Sequence, residues 1–407
     1  MQQAASNFNL FDPSFLRNPF PILAQLRESA PVYWFEPAQS FFLTRYADVA
    51  AALKDTARYS SARTQSIIAS QVPASEYARY APLASALANW MVLQDPPAHT
   101  RSRALVAKAF TPRVIEQMRP AISAVVDELV DRIQGAGRAD LVTDFAEGVP
   151  IAVIAQMLGV PKSDWALLKT WTDEFADFVG MSGQPDAPQR GMHGAVAICD
   201  YFLALIAERR HHPKADLVGA LMAAASDTQH PLSDQEVASS CFLLMSAGHE
   251  TAETLIGSTA YLLLRHPEQR QKLHADPSLL AGAIEEGLRY EPPLFMQGRI
   301  LSQDTELHGH TLKKGQMVLL SLAAANRDPA VFADPECFDI TRRENPHLSF
   351  AVGPHHCLGA NLARLEANLA LGTLLRRLPA LRLEQEAADL KPPNLMMHQL
   401  QSLRVSF

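Results

Sequence analysis

The sequence predicts a mainly α fold with a small β portion, and three observations support that prediction. Downstream of residue 115, apolar residues recur mostly at intervals of three and four, which places them on one face of a helix. Residues 233–236 read Ser-Asp-Gln-Glu, a capping box that opens the longest such pattern, which continues to about Leu264. Runs with the character of strands are few and short by comparison.

The first ninety residues mix the two kinds of element. Residues 19–31 have helical spacing and predict an opening helix. Residues 32–35 and 41–44 are apolar and aromatic runs on either side of a Glu-Pro-Ala-Gln turn, which predicts a β-hairpin. Residues 47–53 return to helix. Residues 60–90 have no clear period, so we expect a long loop with short helical pieces, which in a compact domain is usually functional.

The rest of the chain is predominantly helical. Helices are predicted, before the long capped one, over residues 115–133, 146–158, 162–178, 193–210 and 217–225. Asp276-Pro277 opens a further helix that ends near Tyr290, ahead of two prolines. Short strands are expected near residues 299–300 and 317–320, with more in the last forty residues.

The composition is typical of an intracellular globular protein. The 407 residues contain no linker, repeat or low-complexity tract, so we expect one domain over residues 1–407. A net charge of −7, from 36 basic and 43 acidic residues, gives no support for nucleic-acid binding. The four cysteines are scattered without a C-x-x-C pair, which argues against a disulfide framework and fits a reducing cytoplasm.

No targeting or membrane-spanning segment is expected. Residues 1–10 lack the basic and apolar regions of a secretory signal. The best candidate for a span, residues 237–264, is interrupted by His249, Glu250 and Glu253. We therefore expect a soluble, cytoplasmic protein with no membrane contact.

The most informative segment is residues 350–359, Phe-Ala-Val-Gly-Pro-His-His-Cys-Leu-Gly. Its cysteine, Cys357, precedes the helical pattern of residues 358–375, and a helix N-terminus favours the thiolate form of a cysteine. Gly353 and Gly359 allow the backbone to approach a flat group closely. The alternative is a buried structural cysteine, the commoner fate of a lone cysteine.

This segment, with the pattern F-x-x-G-x-H-x-C-x-G, resembles the haem-ligand loop of the cytochrome P-450 superfamily. The resemblance extends from about Pro19 to the C-terminus. It implies that family's fold, with haem b between the long central helix and the cysteine loop. Cys357 would be the axial metal ligand, and Phe350 and Gly359 would lie against the cofactor.

A second segment lies in the middle of the longest helix and reads Ala-Gly-His-Glu-Thr from Ala247 to Thr251. A glycine inside a helix costs about 1 kcal/mol, so Gly248 needs a reason. One account is that Gly248 permits close packing and that Glu250 faces water. The segment is also similar to the oxygen-activating kink of the family, where Gly248 would adjoin haem, Thr251 would hydrogen-bond dioxygen and Glu250 would relay protons.

Basic residues match the family's haem-propionate ligands. Asp95-Pro96-Pro97 can start a helix on which His99 and Arg103 share a face. The resemblance assigns these two residues, together with Arg299 and His355, to the propionates, since a guanidinium suits a carboxylate. An exposed basic face is the alternative for each of them singly.

A weaker motif, Glu286-Gly287-Leu288-Arg289, places a glutamate and an arginine on one helical face. Alone it would indicate a solvated surface ion pair. In the family, the matching residues bind an arginine ahead of the cysteine loop, here Arg342 within residues 335–342. The implied role of Glu286, Arg289 and Arg342 is structural, holding the ligand loop.

The resemblance implies a monooxygenase that inserts one oxygen atom from dioxygen into a largely apolar, natural-product-like small molecule. The alternatives are oxidative coupling or decarboxylation on the same haem, and a haem-based binding or sensing protein without turnover. By family position, the pocket would be lined by residues 60–90, 175–181, 243–251, 294–297 and 396–399. These segments include Leu243, Leu244, Ala247, Leu294, Phe295, Met296, Gln297, Met396, Met397 and His398.

These segments contain no lysine, which disfavours a small dianionic substrate because its charge would be buried without compensation. Gln297, His398 and Gln399 are candidate polar anchors, or else they bond backbone in a strand turn. We expect a monomer that receives electrons from a ferredoxin and its reductase. Arg364, with Arg113 and Arg343 by family analogy, is the expected basic patch for that donor.

Overall fold

The computed structural model describes residues 8–180, 184–226, 232–385, 388–391 and 396–407, and helices dominate them. The α-helices are, in chain order, α1 (Pro13–Arg17), α2 (Phe20–Ser29), α3 (Tyr46–Lys54), α4 (Thr64–Ala69), α5 (Ala81–Ala88), α6 (Ala98–Ala107), α7 (Pro112–Gln117), α8 (Arg119–Gln134), α9 (Gly148–Met157), α10 (Trp165–Val179), α11 (Ala187–His211), α12 (Leu217–Ser226), α13 (Asp234–Arg265), α14 (Pro267–Ala275), α15 (Leu280–Tyr290), α16 (Leu322–Ala325) and α17 (Ala360–Arg377).

The strands are short. They are β1 (Val32–Phe35), β2 (Ser40–Leu43), β3 (Tyr59–Ser60), β4 (Arg138–Asp140), β5 (Met296–Leu301), β6 (Thr305–Leu307), β7 (His310–Leu312), β8 (Met317–Ser321), β9 (Arg382–Leu383), β10 (Asp389–Leu390), β11 (Leu400–Ser402) and β12 (Arg404–Ser406). The predicted class, mainly α with a small β portion, is confirmed.

The chain forms two compact units. The first comprises Met1–Ser61, Val126–Ala146 and Thr251–Phe407, and the second comprises Ala62–Val125 and Glu147–Glu250. The division falls within the long helix α13, between Glu250 and Thr251.

The first unit contains the sheets. A five-stranded sheet has the order β1-β2-β8-β5-β3, in which β2 and β8 run parallel and the other pairs are antiparallel. The predicted hairpin is confirmed, with Val32 opposite Leu43 and Phe35 opposite Ser40. A second sheet places β12 between β4 and β9. Apolar side chains of the large sheet, among them Val318 and Leu320, lie in a core that they share with residues of α3 and α16.

The second unit is built of helices packed around aromatic side chains. The rings of Trp90, Phe175 and Phe242 meet edge-to-face, with centroids 4.8–5.1 Å apart. Helices α10 and α11 pack at close range because α11 presents glycines to α10. A Cβ on Gly191 would lie 2.3 Å from the Cβ of Phe178, and one on Gly194 would lie 2.3 Å from the carbonyl oxygen of Trp171.

The capping box that predicted α13 is present in full. The Ser233 hydroxyl accepts from the backbone N–H of Glu236 at 3.2 Å, and the Glu236 carboxylate accepts from the N–H of Ser233 at 2.9 Å. The helix then continues without a break to Arg265. Residues 247–251, which are similar to the oxygen-activating kink of the family, lie within this one helix.

One prediction of secondary structure is confirmed in part and another was wrong in detail. Residues 60–90 contain the expected short helical pieces, which are α4, a 3₁₀ segment (Ala74–Tyr80) and α5, and these leave less loop than predicted. The single helix predicted over residues 115–133 is two helices, α7 and α8, separated at Met118, and a proline at the second position of α8 suits a helix start. Periodicity alone does not separate two helices whose apolar faces are nearly continuous.

One described helix, α11, is long and apolar enough to cross a membrane by length and composition alone. It differs from the stretch that the sequence singled out, residues 237–264. A core helix of a soluble protein passes the same test, and α11 buries Ile198, Phe202 and Ile206 completely within the second unit.

Candidate functional site

The segment around Cys357 is held by its own backbone. The N–H of Cys357 donates to the carbonyl oxygen of Phe350 at 2.8 Å, and the N–H of His356 donates to Gly353 at 3.0 Å. Helix α17 begins three residues after the cysteine. Gly353 has φ +81°, and a Cβ there would lie 3.0 Å from Cα of Lys54. This glycine is needed for the turn and for the close approach of the chain at α3.

Helix α17 is tied to the cysteine segment through Arg364. The guanidinium donates two hydrogen bonds to Glu285 of α15, at 2.6 and 2.8 Å, and its carbon lies 4.5 Å from the centre of the Phe350 ring. His347 contacts the same carboxylate at 3.1 Å. Burial acts to raise the pKa of Glu285, but the hydrogen bonds from Arg364 and His347 outweigh it and lower the pKa to about 2. Glu285 is therefore a carboxylate at neutral pH.

Next to it on α15, Glu286 is completely buried and fully bonded. It accepts two hydrogen bonds from Arg289, at 2.7 and 2.8 Å, and one from Nε of Arg342 at 3.1 Å. The N–H of Asp339 and the side-chain amide of Asn345 complete its shell, at 2.9 and 3.1 Å. Arg289 is also 0% exposed. This pair is therefore not the solvated surface ion pair that the motif alone would indicate.

Both arginines also bind the chain that precedes the cysteine segment. Arg289 donates to the carbonyl oxygens of Asn326, Pro335 and Cys337, at 3.1, 2.8 and 2.9 Å. Arg342 donates to the carbonyl oxygen of Ala333 at 2.7 Å. The three charged residues therefore fasten residues 333–345 to α15.

The basic residues assigned to the propionates divide between the units. In the first unit, Arg299 on β5 is 2% exposed and donates to the carbonyl oxygen of Gly298 at 2.8 Å, while Nε2 of His355 lies 3.1 Å from the Ser61 hydroxyl. In the second unit, His99 and Arg103 both lie on α6 as predicted. Burial lowers the pKa of His99, and the nearby Arg103 charge lowers it further.

The second unit also contains the acid of the Ala-Gly-His-Glu-Thr segment. Glu250 is 7% exposed, so it does not face water. One oxygen of its carboxylate, a ring nitrogen of His249 and a carboxylate oxygen of Asp173 lie within 4.8 Å of one another. His249 is fully buried, whereas the Asp173 side chain is 47% exposed and also binds Nζ of Lys169 at 2.8 Å.

Gly248 has a packing explanation within the second unit. A Cβ there would lie 3.3 Å from Cγ1 of Ile154 on α9, so the glycine allows the two helices to approach. Of the pocket residues predicted on α13, Leu243 and Leu244 are buried, while Ala247 is exposed in the unit. Thr251, the first residue of α13 in the first unit, is half-buried.

The structure brings together the two C-terminal pocket segments of the first unit. Leu294 pairs with Met397, and the N–H of Phe295 donates to the carbonyl oxygen of Met396 at 2.7 Å. Met296 and Gln297 continue into β5. Of the earlier segment, residues 175–180 lie in α10 and its C-cap, and Met181 lies outside the described residues.

The three candidate polar anchors have partners inside the protein. His398 forms an ion pair with Glu291 and stacks near Phe295, with ring centroids 5.3 Å apart. Gln399 donates to the Thr254 hydroxyl at 3.3 Å, and Oε1 of Gln297 accepts from Arg299 at 3.4 Å. These partners are side chains, and His398 in addition has a hydrogen bond with the backbone of Arg17. The role of the three residues as polar anchors for a substrate stays a prediction. Burial acts to lower the pKa of His398, but the negative charge of Glu291 outweighs it, so that the pKa is raised.

Sequence reasoning missed Glu285, His347, Asn345 and Asp173. Glu285 was missed because the motif with a glutamate and an arginine three residues apart begins at Glu286, the next residue. His347 and Asn345 lie in an irregular segment before the cysteine, without periodicity. Asp173 contacts His249 from another helix 76 positions away, and no local pattern signals such a contact.

Comparisons with known proteins agree with this arrangement. The family model described as Cytochrome P450 matches residues 185–403. Cytochrome P450 CYP107DY1 of Priestia megaterium is 44% identical over 330 residues, 80% of each chain. The biotin biosynthesis cytochrome P450 of Bacillus subtilis is 40% identical over 371 residues, 91% of each chain.

A solved structure extends the agreement to the fold. The structure of P450BioI in complex with an acyl carrier protein ligated to hexadec-9Z-enoic acid matches with a TM-score of 0.90 and 38% identity. The match covers 97% of this chain and 100% of that one. The chain therefore belongs to the cytochrome P450 family and is an oxidoreductase of the monooxygenase class, for which the family implies a haem–thiolate cofactor.

Proposed function

We propose that this protein binds haem b through the thiolate of Cys357 and inserts one oxygen atom from dioxygen into a largely apolar small molecule. The observation that carries the proposal is the support of the cysteine segment. Phe350 accepts the hydrogen bond of the Cys357 N–H, and Arg364 links the Phe350 ring to Glu285. A ligand loop needs such rigid support because small displacements of a reacting group cost large factors in rate.

The residues around the cysteine fit a haem–thiolate site. Cys357 is exposed in the first unit, whereas Cys199 is buried and burial raises its pKa to about 12. Burial raises the pKa of Cys241 as well. At Gly359 a Cβ would have no neighbouring atom within 4 Å, so the chain leaves room for a flat group beside Cys357. Of these thiols, Cys357 is the one suited to ligate iron.

Bound at Cys357, haem would supply the activation of dioxygen, which consumes two electrons and two protons for each oxygen atom inserted and each water released. The chain's part is to hold the cofactor and to deliver protons. We assign Arg299, His355, His99 and Arg103 to the two propionates. Burial of Arg299 and His99 strengthens such contacts, because charge-assisted hydrogen bonds gain strength away from water.

Proton delivery is assigned to Glu250 and Thr251. The Glu250 carboxyl is buried and would act as the proton donor, and the Thr251 hydroxyl would pass the proton on. His249 and Asp173 extend this pair toward solvent. The half-exposed Asp173 side chain gives this relay a contact with water, and an imidazole can accept at one ring nitrogen and donate from the other.

The substrate is proposed to be a medium-sized apolar molecule of the fatty-acyl or polyketide type. The predicted pocket residues, including Met296, Met396 and Met397, offer a flexible apolar surface. P450BioI, which resembles this chain, was solved with a fatty-acyl acyl carrier protein. Because His398 and Gln399 are engaged with Glu291 and Thr254, recognition should depend on shape and apolar area more than on these polar groups.

Electrons are proposed to come from a separate ferredoxin and its reductase. Arg364 contributes less to docking than its position suggests, because Glu285 offsets its charge. Arg113 and Arg343 are exposed and have no ion pair within the described part of the chain. They are therefore the better candidates for attracting an acidic donor. A soluble, cytoplasmic, monomeric protein remains the expectation.

The experiment that tests the proposal is turnover under ¹⁸O₂ with a surrogate ferredoxin and reductase and a panel of fatty acyl, polyketide and amino-acid substrates. We expect one ¹⁸O atom in products from the apolar substrates, together with substrate-induced shifts of the Soret band. Products without label, or spectral responses limited to small charged ligands, would contradict it.

A further inference from the structure

A groove of about 870 Å³ lies in the first unit, and none of its lining residues is assigned above to haem or substrate. Helices α14, α15 and α17 form its walls together with residues 379–382. Its volume lies in the range of small-molecule sites, roughly 300–1,000 Å³.

The walls of the groove are mainly apolar. They are formed by leucines and prolines, among them Pro267, Leu273, Pro277, Leu280, Leu375 and Leu381. Gly372 brings α17 close to α15, because a Cβ there would lie 3.1 Å from Cδ2 of Leu280. The prolines give rigid walls, so the groove needs little ordering on binding.

All charged side chains that line the groove are basic. Arg270, Arg376 and Arg382 line it together with His274, and no aspartate or glutamate is among the lining residues that the structure describes. Arg270 donates to the carbonyl oxygen of Pro379 at 2.8 Å and to that of Leu381, which holds residues 379–381 over α14. Burial lowers the pKa of Arg270, so its guanidinium is partly withdrawn from water.

Cations just outside the groove are neutralised, in contrast to those inside it. Arg377 binds Asp127 and Asp131, at 3.4 and 2.5 Å, and Lys272 lies 3.6 Å from Asp339. Neither Arg376 nor Arg382 has an ion pair with any carboxylate of the described ranges, in a chain with 43 acidic residues. The positive charge that carboxylates leave uncompensated therefore belongs to Arg376 and Arg382, beside the apolar walls of the groove.

We propose that this groove binds an amphipathic organic anion, with an apolar body against α14, α15 and α17 and a carboxylate, sulfonate or phosphate between Arg376 and Arg382. The apolar walls contribute burial of the ligand body, and arginine suits the anionic head through its planar fork. A simple inorganic anion would leave the apolar wall exposed, and a neutral apolar molecule would leave the arginines without a partner. The site shares no residue with the proposed haem site.

The test uses the holoprotein with its haem pocket blocked by a saturating azole inhibitor. Binding of 1-anilinonaphthalene-8-sulfonate is measured by calorimetry, beside the neutral N-phenyl-1-naphthylamine. We expect one sulfonate bound per chain, and affinity weaker by at least about tenfold when both arginines are reversed in Arg376→Glu/Arg382→Glu.

Ala380→Trp, which fills the groove and keeps its charge, should also abolish binding. Arg404→Glu, an exposed arginine of the same unit outside the groove, is the matched control and should bind as the parent does.

Three results would overturn the proposal. The first is absence of binding in the azole-blocked parent. The second is equal affinity for the neutral and anionic probes, which would mean apolar adsorption without a role for the arginines. The third is unchanged affinity in both the reversed and the filled variants, which would place the probe elsewhere. Each variant is first checked for an unaltered melting temperature and Soret spectrum, so that a folding defect is not mistaken for lost binding.

Discussion

At the scale of single residues, the contacts of Arg364 change the role that the sequence suggested for its charge. Arg364 lies on α17 near Cys357, and the sequence indicated a docking residue. In the structure its guanidinium is occupied by Glu285 and by the Phe350 ring. Reversing this charge would place two glutamates together beside the cysteine segment. It would report on the integrity of that segment more than on partner binding.

Thr251→Ala should keep the cofactor but uncouple turnover. The hydroxyl is proposed to pass on a proton from Glu250, so its loss should divert electrons to hydrogen peroxide, with product per reducing equivalent falling on the order of tenfold or more. The measurement is the ratio of product to peroxide with a surrogate electron donor. Thr254→Ala, three residues further along α13, is the control, and its turnover should stay coupled. Full coupling in Thr251→Ala would place the relay elsewhere.

Glu366 gives a pH-dependent stability. Burial raises its pKa from the ordinary 4.5 to about 8. Below about pH 4.5 the carboxyl is neutral in both the folded and the unfolded chain, and the fold is most stable. As the pH rises toward about 8, the unfolded chain releases this proton more readily than the folded chain, so the free energy of unfolding falls. In Glu366→Gln, which resembles the neutral form, the free energy of unfolding should fall less between about pH 5 and about pH 8 than in the parent.

Denaturant titration of the holoprotein across this range measures that slope. The exposed Glu268→Gln should leave the slope of the parent unchanged. A slope that is the same in Glu366→Gln and the parent would mean that Glu366 is already charged in the folded protein.

At the scale of elements, the sequence predicts best where a pattern is long and has its own boundary signals. Helix α13 begins at the predicted capping box, and the hairpin β1–β2 forms around its turn. The elements of residues 60–90 were predicted less precisely because α4 and α5 are short, and so few residues do not show a clear helical repeat of apolar positions. The contacts of Glu285 with Arg364 and of Asp173 with His249 join separate elements, so tertiary packing alone determines them.

The network around Glu286 should be worth several kcal/mol. Glu286→Gln removes one charge and leaves Arg289, which is 0% exposed, without its carboxylate. Breaking such a buried pair typically costs about 3–5 kcal/mol. We expect a large loss in the free energy of unfolding and faster haem loss, measured by denaturant titration and by transfer of haem to apomyoglobin.

The chain offers a matched control in Glu116→Gln. Glu116 and Arg119 have the same spacing, but the pair is on the surface, with side chains 62% and 45% exposed. This variant should differ from the parent by less than about 1 kcal/mol. Equal effects of the two substitutions would show that the buried network contributes nothing beyond a surface pair.

At the scale of the whole molecule, the net charge of −7 hides local charge of the opposite sign. Arg113 and Arg343 are exposed without a carboxylate partner in the described part of the chain. We expect Arg113→Glu and Arg343→Glu to slow reduction by an acidic ferredoxin severalfold, mainly through the association rate, and high salt to slow the parent. Stopped-flow reduction measures this. Lys314→Glu should have little effect, and salt-independent reduction of the parent would argue against electrostatic docking.

The organisation of the molecule is the least predictable level from the sequence. A single domain over residues 1–407 was expected because no linker interrupts the chain, and this stays a prediction. The contacts group the chain into two units whose boundary falls inside α13. A continuous helix gives no compositional sign of such a boundary, since its residues follow one helical period throughout.

The central claim is that Cys357 ligates haem through its thiolate, and the spectrum of the reduced protein with carbon monoxide tests it most directly. The parent should show the red-shifted Soret band of a thiolate-bound haem. Cys357→Ser should lose that band, while Cys337→Ser, the other exposed cysteine of the described residues, should retain it. A parent without the shifted band, or a Cys357→Ser variant that keeps it, would contradict the account.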